Sequence, residues 1–335
     1  MEDVEIKMDL TSVIRVLAEY VMLNSTVTDS VSLFYGRAGM SLCLFNVARF
    51  LNDKSIENHA FNLLMQSLLN EKEDIRFDTG LPGIGYALNY VIRYKFVEAD
   101  FYEIFGNRHE IIVREFLKAE LNAMSLRHLV LLWQTMPYFI YMKDERIKQK
   151  TKDISKECIS RFEKIWKTIH ESSTPVDKEM VLEQWRIYLK VLSITGEIEY
   201  YNHIIDYILL LRNGLLKSDM LSLHYISNIM VDKQNGEIKM VLNSMMKEEI
   251  LQAHSVFDYM FSKNIYTEPY ISHNISFTDS FLYRKIPTIE KTLNQQIGFS
   301  SFSPVLSFGI SGVIVGLLYS YSNNKSEIKE LLSLL

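Results

Sequence analysis

The sequence predicts an all-α protein in which helical hairpins repeat and close into an α/α toroid. Three observations predict this fold: a Gly-x-x-Gly element that recurs at regular spacing, long apolar runs with helical periodicity, and little turn punctuation elsewhere. The chain has 335 residues but only 6 prolines and 13 glycines, and most of those glycines lie in the recurring elements.

The Gly-x-x-Gly element occurs three times, each time at the start of an apolar helical run. The separation from Gly36 to Gly80 is 44 residues, and the separation from Gly80 to Gly309 is 229 residues. The longer separation equals five steps of about 46 residues, a period that fits one pair of helices and two turns. The glycines of the three copies are Gly36 and Gly39, Gly80 and Gly83, and Gly309 and Gly312.

Two kinds of helix alternate along the chain. Some runs are apolar almost all round, which is typical of helices buried on most sides. These runs are Ala38–Leu51, Ile84–Tyr94, Leu126–Met142, Met180–Ile194 and Gly312–Tyr321. Other runs carry charge on one face only, and they are Ser55–Asn70, His109–Ala123, Lys150–His170 and Glu199–Arg212. The alternation predicts an inner layer and an outer layer, and a closed ring leaves no apolar end uncovered.

The middle of the chain keeps the repeat spacing without the glycines. Steps of about 45 residues from Gly80 predict helix starts near Ser125, Ser173 and Ser222, where serine can cap a helix. The stretch from about 230 to 300 is irregular in pattern and is expected to hold an insertion. No stretch has the composition of a linker, so residues 1–335 are expected to form a single domain.

Composition excludes several classes of function. A net charge of −5 gives no electrostatic basis for binding nucleic acid or an anionic membrane surface. The longest apolar stretch, Val305–Tyr321, contains three glycines and is expected to be a buried helix and not a membrane span. The acidic start of the chain is unlike a secretory signal, and two cysteines suit a reducing compartment, so a cytoplasmic location is expected.

The glycine elements allow two interpretations. In the structural one, the glycines permit tight turns and close approach of neighbouring inner helices. In the functional one, exposed amides at the helix N-termini hold a phosphate or carboxylate. The structural interpretation is favoured because no Gly-Lys-Ser/Thr sequence of a P-loop follows any of the turns.

These copies resemble the lanthionine synthetase C-like (LanC-like) family. The resemblance is closest in residues 80–90, Gly-Leu-Pro-Gly-Ile-Gly-Tyr-Ala-Leu-Asn-Tyr, followed by Phe-Val-Glu-Ala-Asp at 96–100. It is good at residues 35–42 and 309–313, whereas residues from about 100 to 300 match only by register. The resemblance implies an α/α toroid of seven helical pairs and a role in modifying ribosomally made peptides.

The family's cyclases hold zinc with two cysteines and a histidine, and the metal makes a substrate thiolate. Their ligands lie in a Trp-Cys-x-Gly-like turn and a Cys-His-Gly turn, and this chain lacks both turns. Its nearest analogue is Ser222-Leu223-His224-Tyr225, from which only His224 carries over. Since one histidine does not make a zinc site, we expect no metal and no cofactor, and whether the chain is an enzyme is left open.

Five residues at predicted repeat starts are candidates for peptide binding at the mouth of the ring. They are Arg37, Asp78, Arg127, His128 and His224. The alternative for each is an ordinary role, as a helix cap for the charged residues or as a paired or exposed histidine.

The sequence-based hypothesis is a LanC-like protein that binds a peptide, such as a modified-peptide precursor, without cyclising it. One alternative is a cyclase with an atypical metal site, in which His128 and His224 align with His254 or His273. Another is a carbohydrate-active toroid enzyme, in which Asp78 and Asp279 form a carboxylate pair and tryptophans stack on sugars. The tryptophans, Trp133, Trp166 and Trp185, lie in apolar patterns that favour core packing. A third alternative is an inert scaffold in a protein complex.

Overall fold

The computed structural model describes residues 2–69, 73–171, 306, 310–321 and 325–332. These residues form helices and turns with no strand among them, which confirms the all-α prediction for the described ranges. The described helices are α1 (Glu2–Ser25), α2 (Arg37–Leu51), α3 (Lys54–Leu68), α4 (Leu81–Arg93), α5 (Phe101–Lys118), α6 (Leu126–Trp133), α7 (Met136–Phe139), α8 (Glu145–Glu171), α9 (Ile310–Tyr321) and α10 (Lys325–Leu332).

Helices α2 to α5 form two successive hairpins with the expected alternation of burial. Every residue of α2 from Ala38 to Ala48 is buried, and so is every residue of α4 from Leu81 to Leu88. Helices α3 and α5 bury one stripe each. Each is capped by the aspartate that precedes it, Asp53 or Asp100, whose carboxylate accepts hydrogen bonds from two backbone N–H groups of the first turn.

The glycines at the starts of α2 and α4 are needed for close approach. A loop carbonyl lies against each glycine in the same way, six residues upstream of it. A β-carbon at Gly39 would overlap the carbonyl oxygen of Leu33, and one at Gly83 would overlap that of Phe77. Side chains larger than hydrogen therefore do not fit at Gly39 and Gly83 without a shift of the neighbouring loop.

The three glycine copies also meet one another through a repeated contact. A β-carbon at Gly83 would lie 2.8 Å from Cβ of Leu33, and one at Gly39 would lie 2.8 Å from Cβ of Leu306. Leu306 precedes Gly309 by three residues, just as Leu33 precedes Gly36. The last copy therefore contacts the first as the first contacts the second. Gly309 itself lies outside the described residues, whereas Gly312 is buried in α9.

The predicted helix Leu126–Met142 is wrong as a single element, because the structure has α6 and α7 with a break at residues 134–135. Pro137 explains the break. A proline in a continuous helix has no N–H to donate to the carbonyl four residues earlier, and its ring would clash with that carbonyl. For Pro137 the carbonyl is that of Trp133.

The predicted start at Ser125 is confirmed, since its Oγ accepts the backbone N–H of His128 at 3.3 Å. Helix α1 had no counterpart in the sequence analysis.

The chain divides into two compact units. Unit 1 comprises Met1–Ala119, Gln134–Lys143 and Thr267–Leu335, and unit 2 comprises Glu120–Trp133 and Asp144–Tyr266. In unit 2, α8 packs on α6, and Arg161 donates hydrogen bonds to the carbonyls of Leu121 and Met124. The expected single domain stays a prediction. The helices expected at 180–194 and 199–212, the starts at Ser173 and Ser222, and the insertion at 230–300 lie outside the described residues.

Helix α9 belongs to the apolar stretch at the C-terminal end of the chain. Its residues Ile314, Val315, Leu317 and Leu318 are buried in unit 1. Among the described helices, none is both long and apolar enough to cross a membrane.

We predict that Gly39→Ala and Gly83→Ala each lower the free energy of unfolding by about 3 kcal/mol, because the added methyl group overlaps a backbone oxygen. Chemical denaturation followed by circular dichroism measures the change.

Gly106→Ala provides the matched control, because the nearest atom to its added methyl group is 4.0 Å away. In the interior of α5 this change is expected to stabilise the protein by up to about 1 kcal/mol. Equal effects of the three substitutions would contradict the role of close packing.

Candidate functional site

The starts of α2 and α4 lie side by side and form a rim on unit 1. The backbone N–H of Phe34 donates to the carbonyl of Asp78 at 3.2 Å. The rings of Phe34 and Phe77 meet edge to face at 5.9 Å, and the exposed Tyr35 adjoins Phe34 at 6.4 Å. We call the surface formed by residues 34–37 and 74–79 the glycine rim.

Arg37, a predicted site residue, lies on the glycine rim as the first residue of α2. The side chain is half-buried, and its Nε atom is buried with no hydrogen-bond partner in the described part of the chain. No acidic residue lies in the first turn of α2. A cation at this end of a helix opposes the helix dipole, so the position favours a neighbouring anion.

Asp78, a second predicted site residue, lies on the same rim and is half-buried. Its nearest side-chain donor among the described residues is Thr79, whose Oγ1 is 3.4 Å from Asp78 Oδ1 but 2.9 Å from Asp74 Oδ2. The Thr79 hydroxyl has one proton and gives it to the closer oxygen. The carboxylate of Asp78 is thus only weakly engaged.

Asp74 and Arg76 hold the loop that leads to Gly80, and the sequence analysis did not identify them. Arg76 binds the carboxylate of Asp74 through Nε and Nη2, with Nη2 at 2.7 Å from Oδ2. Burial alone raises the pKa of Asp74, but hydrogen bonds from Arg76 and Thr79 outweigh it, and the pKa is lowered. The ion pair between Asp74 and Arg76 thus fixes the conformation of this part of the glycine rim.

The helix starts on the rim do not offer their backbone amides to a ligand. In α2, Arg37 N–H donates to the carbonyl of Ser30 at 3.0 Å, and Ala38 N–H donates to that of Val31. In α4, Leu81 N–H donates to the carbonyl of Asp74 at 2.7 Å, and the next residue is Pro82, which has no N–H. Loop carbonyls already satisfy these donors, which argues against a phosphate site there.

Arg127 and His128 lie in unit 2, at the start of α6. Both are exposed, and His128 Nδ1 lies 2.9 Å from Oγ of Ser125, the residue that caps the helix. His128 is therefore an exposed histidine paired with the capping serine, the ordinary role considered for the histidines. His224 lies outside the described residues. The structure thus brings Arg37 and Asp78 together on one rim, and the other three candidates stay predictions.

A second polar cluster surrounds Glu330 of α10, and nothing in the sequence pattern pointed to it. The carboxylate accepts hydrogen bonds from Tyr86 and Tyr94 at 2.6 Å each, from Tyr141 at 3.1 Å, and from Arg93. Burial raises the pKa of Glu330, whereas the hydrogen bonds from the tyrosines and from Arg93 lower it, with a lowered pKa as the net result. With so many donors the carboxylate is already satisfied, so the cluster holds the fold together.

The zinc ion that the family resemblance implies does not fit the thiols present. Cys43 is fully buried, and its thiol is hydrogen-bonded to Ser311 between α2 and α9. Cys158 is buried in α8. Burial raises the pKa of each thiol to about 12, which disfavours the thiolate that binds a metal. The described residues contain no group of three or more His, Cys, Asp or Glu that could hold a metal.

Trp133 is the one tryptophan of the three whose side chain the structure describes. It is buried in α6 with 3% of its surface exposed, so it is a core residue and not a platform for sugars. Asp279, the proposed partner of Asp78 in a carboxylate pair, lies outside the described residues.

No family model matches the chain, and no curated protein matches it.

We predict that Cys43 and Cys158 react slowly with a thiol reagent such as DTNB at pH about 8, because burial keeps both thiols protonated and enclosed. Absorbance follows the reaction. Full labelling is expected only after addition of guanidinium chloride.

Asn58→Cys introduces an exposed thiol on α3 and serves as the positive control. Rapid labelling of the unaltered folded chain would contradict the buried positions of the two cysteines.

We predict that Glu330→Gln lowers the free energy of unfolding by about 2 kcal/mol near neutral pH, because it weakens charge-assisted hydrogen bonds. The folded state lowers the pKa of Glu330. Its stabilisation is therefore complete above the unfolded pKa of about 4.3 and is lost as pH falls through the folded value. The difference between wild type and variant should shrink below pH about 4.3, as measured by denaturation at several pH values.

Glu98→Gln is the matched control, since Glu98 is exposed and the same atoms change. A constant difference between wild type and Glu330→Gln at every pH would show that the charge of Glu330 contributes nothing.

Proposed function

We propose that this chain is a zinc-less member of the LanC-like family, an α/α toroid of about seven helical hairpins whose glycine rim binds a peptide without cyclising it. The observation that carries the proposal is the repeated contact between copies: Leu306 against Gly39, and Leu33 against Gly83. In an open solenoid the first and last repeats are far apart, whereas in a ring they are neighbours. Contact between the last and the first copy therefore supports a ring.

The glycine rim suits a peptide because it combines charges of both signs with an aromatic surface. Arg37 has a buried Nε without a partner in the described residues, at the helix end that favours an anion. Asp78 is weakly engaged and suits a peptide N–H or a cation. Tyr35, 46% exposed, offers a ring for an apolar side chain. A segment that carries a carboxylate beside an aromatic or aliphatic residue matches these groups.

The thiols support the part of the proposal that the chain does not cyclise its peptide. The chain has two cysteines, both buried, with pKa values raised to about 12. A cyclase needs a metal-bound thiolate of the substrate, and the family's ligand pattern of two cysteines and a histidine has no counterpart here. Free thiols suit a reducing compartment, so the proposal locates the protein in the cytoplasm.

We predict that a fluorescein-labelled peptide of alternating glutamate and phenylalanine binds the full chain, and that Arg37→Ala weakens binding about tenfold, or 1.4 kcal/mol. The reason is loss of the rim arginine whose buried Nε has no hydrogen-bond partner in the described residues. Fluorescence anisotropy measures the dissociation constants. Arg37→Lys should lose less affinity because it keeps the charge.

Two controls make the test specific. Arg114→Ala removes an exposed arginine from the outer helix α5 and should leave binding unchanged. A peptide with lysine in place of glutamate should bind more weakly than the acidic one. Failure of both peptides to bind, or equal binding by Arg37→Ala and wild type, would overturn the role of the rim.

A further inference from the structure

Two arginines at equivalent repeat positions bind the same short helix. Arg49 and Arg93 are 44 residues apart, the separation of the first two glycine copies, and they lie in the last turns of α2 and α4. Arg49 Nη1 lies 2.8 Å from Oε1 of Glu327, and Arg93 pairs with Glu330. The two glutamates are three residues apart on α10 and so share one face of that helix.

Both pairs are more shielded than ordinary surface ion pairs. The side chains of Glu327 and Glu330 are 14% and 16% exposed. The guanidinium of Arg49 lies over the ring of Phe96 at 3.6 Å, and that of Arg93 lies over Tyr141 at 3.7 Å. By contrast, exposed pairs are worth little because water screens them. Shielding from water strengthens both ion pairs, and the stacked rings hold each guanidinium in a position that favours a carboxylate partner.

Further contacts fix α10 in the same orientation. Tyr90 donates from its hydroxyl to the backbone carbonyl of Glu327 at 3.1 Å, and three tyrosine hydroxyls reach Glu330. Ile328 and Leu331 are buried. An isolated helix of eight residues is not stable in water, so the helical form of α10 depends on these contacts.

We propose that Arg49, Arg93 and the tyrosines around them form a docking site for an acidic helix with glutamates at positions i and i+3. In this molecule α10 occupies the site and acts as a latch that joins the last repeat to the first two. The inner helices bury long runs of residues, Ala38 to Ala48 in α2 and Leu81 to Leu88 in α4, whereas α10 combines two buried apolar side chains with its ion pairs and hydrogen bonds. The latch therefore opens in a local step that leaves α2 and α4 folded. This inference does not depend on peptide binding at the glycine rim.

Hydrogen–deuterium exchange of the full chain, followed by mass spectrometry, tests the latch. We expect the amides of α10 to exchange about a hundredfold faster in the double variant Glu327→Gln/Glu330→Gln than in wild type, with each single variant intermediate. In wild type the amides of α10 should exchange faster than the buried amides of α2 and α4, because α10 opens first. Glu98→Gln, an exposed isosteric change in unit 1, should leave α10 as in wild type.

Two results would overturn the proposal. If exchange in α10 is the same in the double variant and in wild type, the carboxylates do not hold the helix. If α10 exchanges as slowly as α2 and α4 in wild type, the helix opens only together with the core and is not a latch.

Salt dependence gives an independent readout of the same site. Salt at about 1 M KCl screens the shielded pairs little but stabilises the separated charges of the opened state, so it should speed exchange of α10 modestly in wild type and have less effect in the double variant. An equal response of the two proteins to salt would contradict docking through the two arginines.

Discussion

A loop carbonyl resting against a glycine fixes the start of each described inner helix. In α2 the carbonyl of Ser30 accepts Arg37 N–H, and in α4 the carbonyl of Asp74 accepts Leu81 N–H. The carbonyl can reach this position only because Gly36 and Gly80 have no side chain. The same loop carbonyl thus caps the helix and holds the preceding loop against the first turn of that helix. Leu33, in the loop before Gly36, is thereby held against Gly83 of the neighbouring copy.

The two polar clusters of unit 1 differ in how far their charges are satisfied. Around Glu330 several donors converge on one carboxylate, and no capacity is left for a ligand. On the glycine rim, Arg37 keeps a buried donor with no partner among the described residues, and Asp78 keeps weakly used acceptors. Satisfied clusters hold elements together, whereas unsatisfied ones are suited to recognition. The proposed peptide binding would use the helix starts, whereas the cluster around Glu330 supports the structure.

Local pattern predicted the inner helices well because burial on all sides leaves a strong apolar signal, as in α2 and α4. It failed at residues 134–135, where a single proline outweighs a continuous apolar run. It also predicted that Arg37 and Asp78 lie at repeat starts, which the spacing of the glycines determines. It could not find Glu330, because its partner Arg93 is 237 residues away and neither residue belongs to a motif. Pairing over such distances depends on how the copies are arranged in space.

The tryptophans are distributed unevenly between the two units. All three, Trp133, Trp166 and Trp185, fall in the sequence ranges of unit 2, while unit 1 contains the connected rings of Phe77, Tyr86, Tyr90 and Tyr94. Selective excitation of indole therefore reports on unit 2 alone. Tyrosine absorption, by contrast, reports on both units, because seven of the 19 tyrosines fall in the sequence ranges of unit 2. Indole fluorescence thus isolates the unfolding of unit 2 without any added label, and comparison with a whole-chain signal shows whether the two units unfold together.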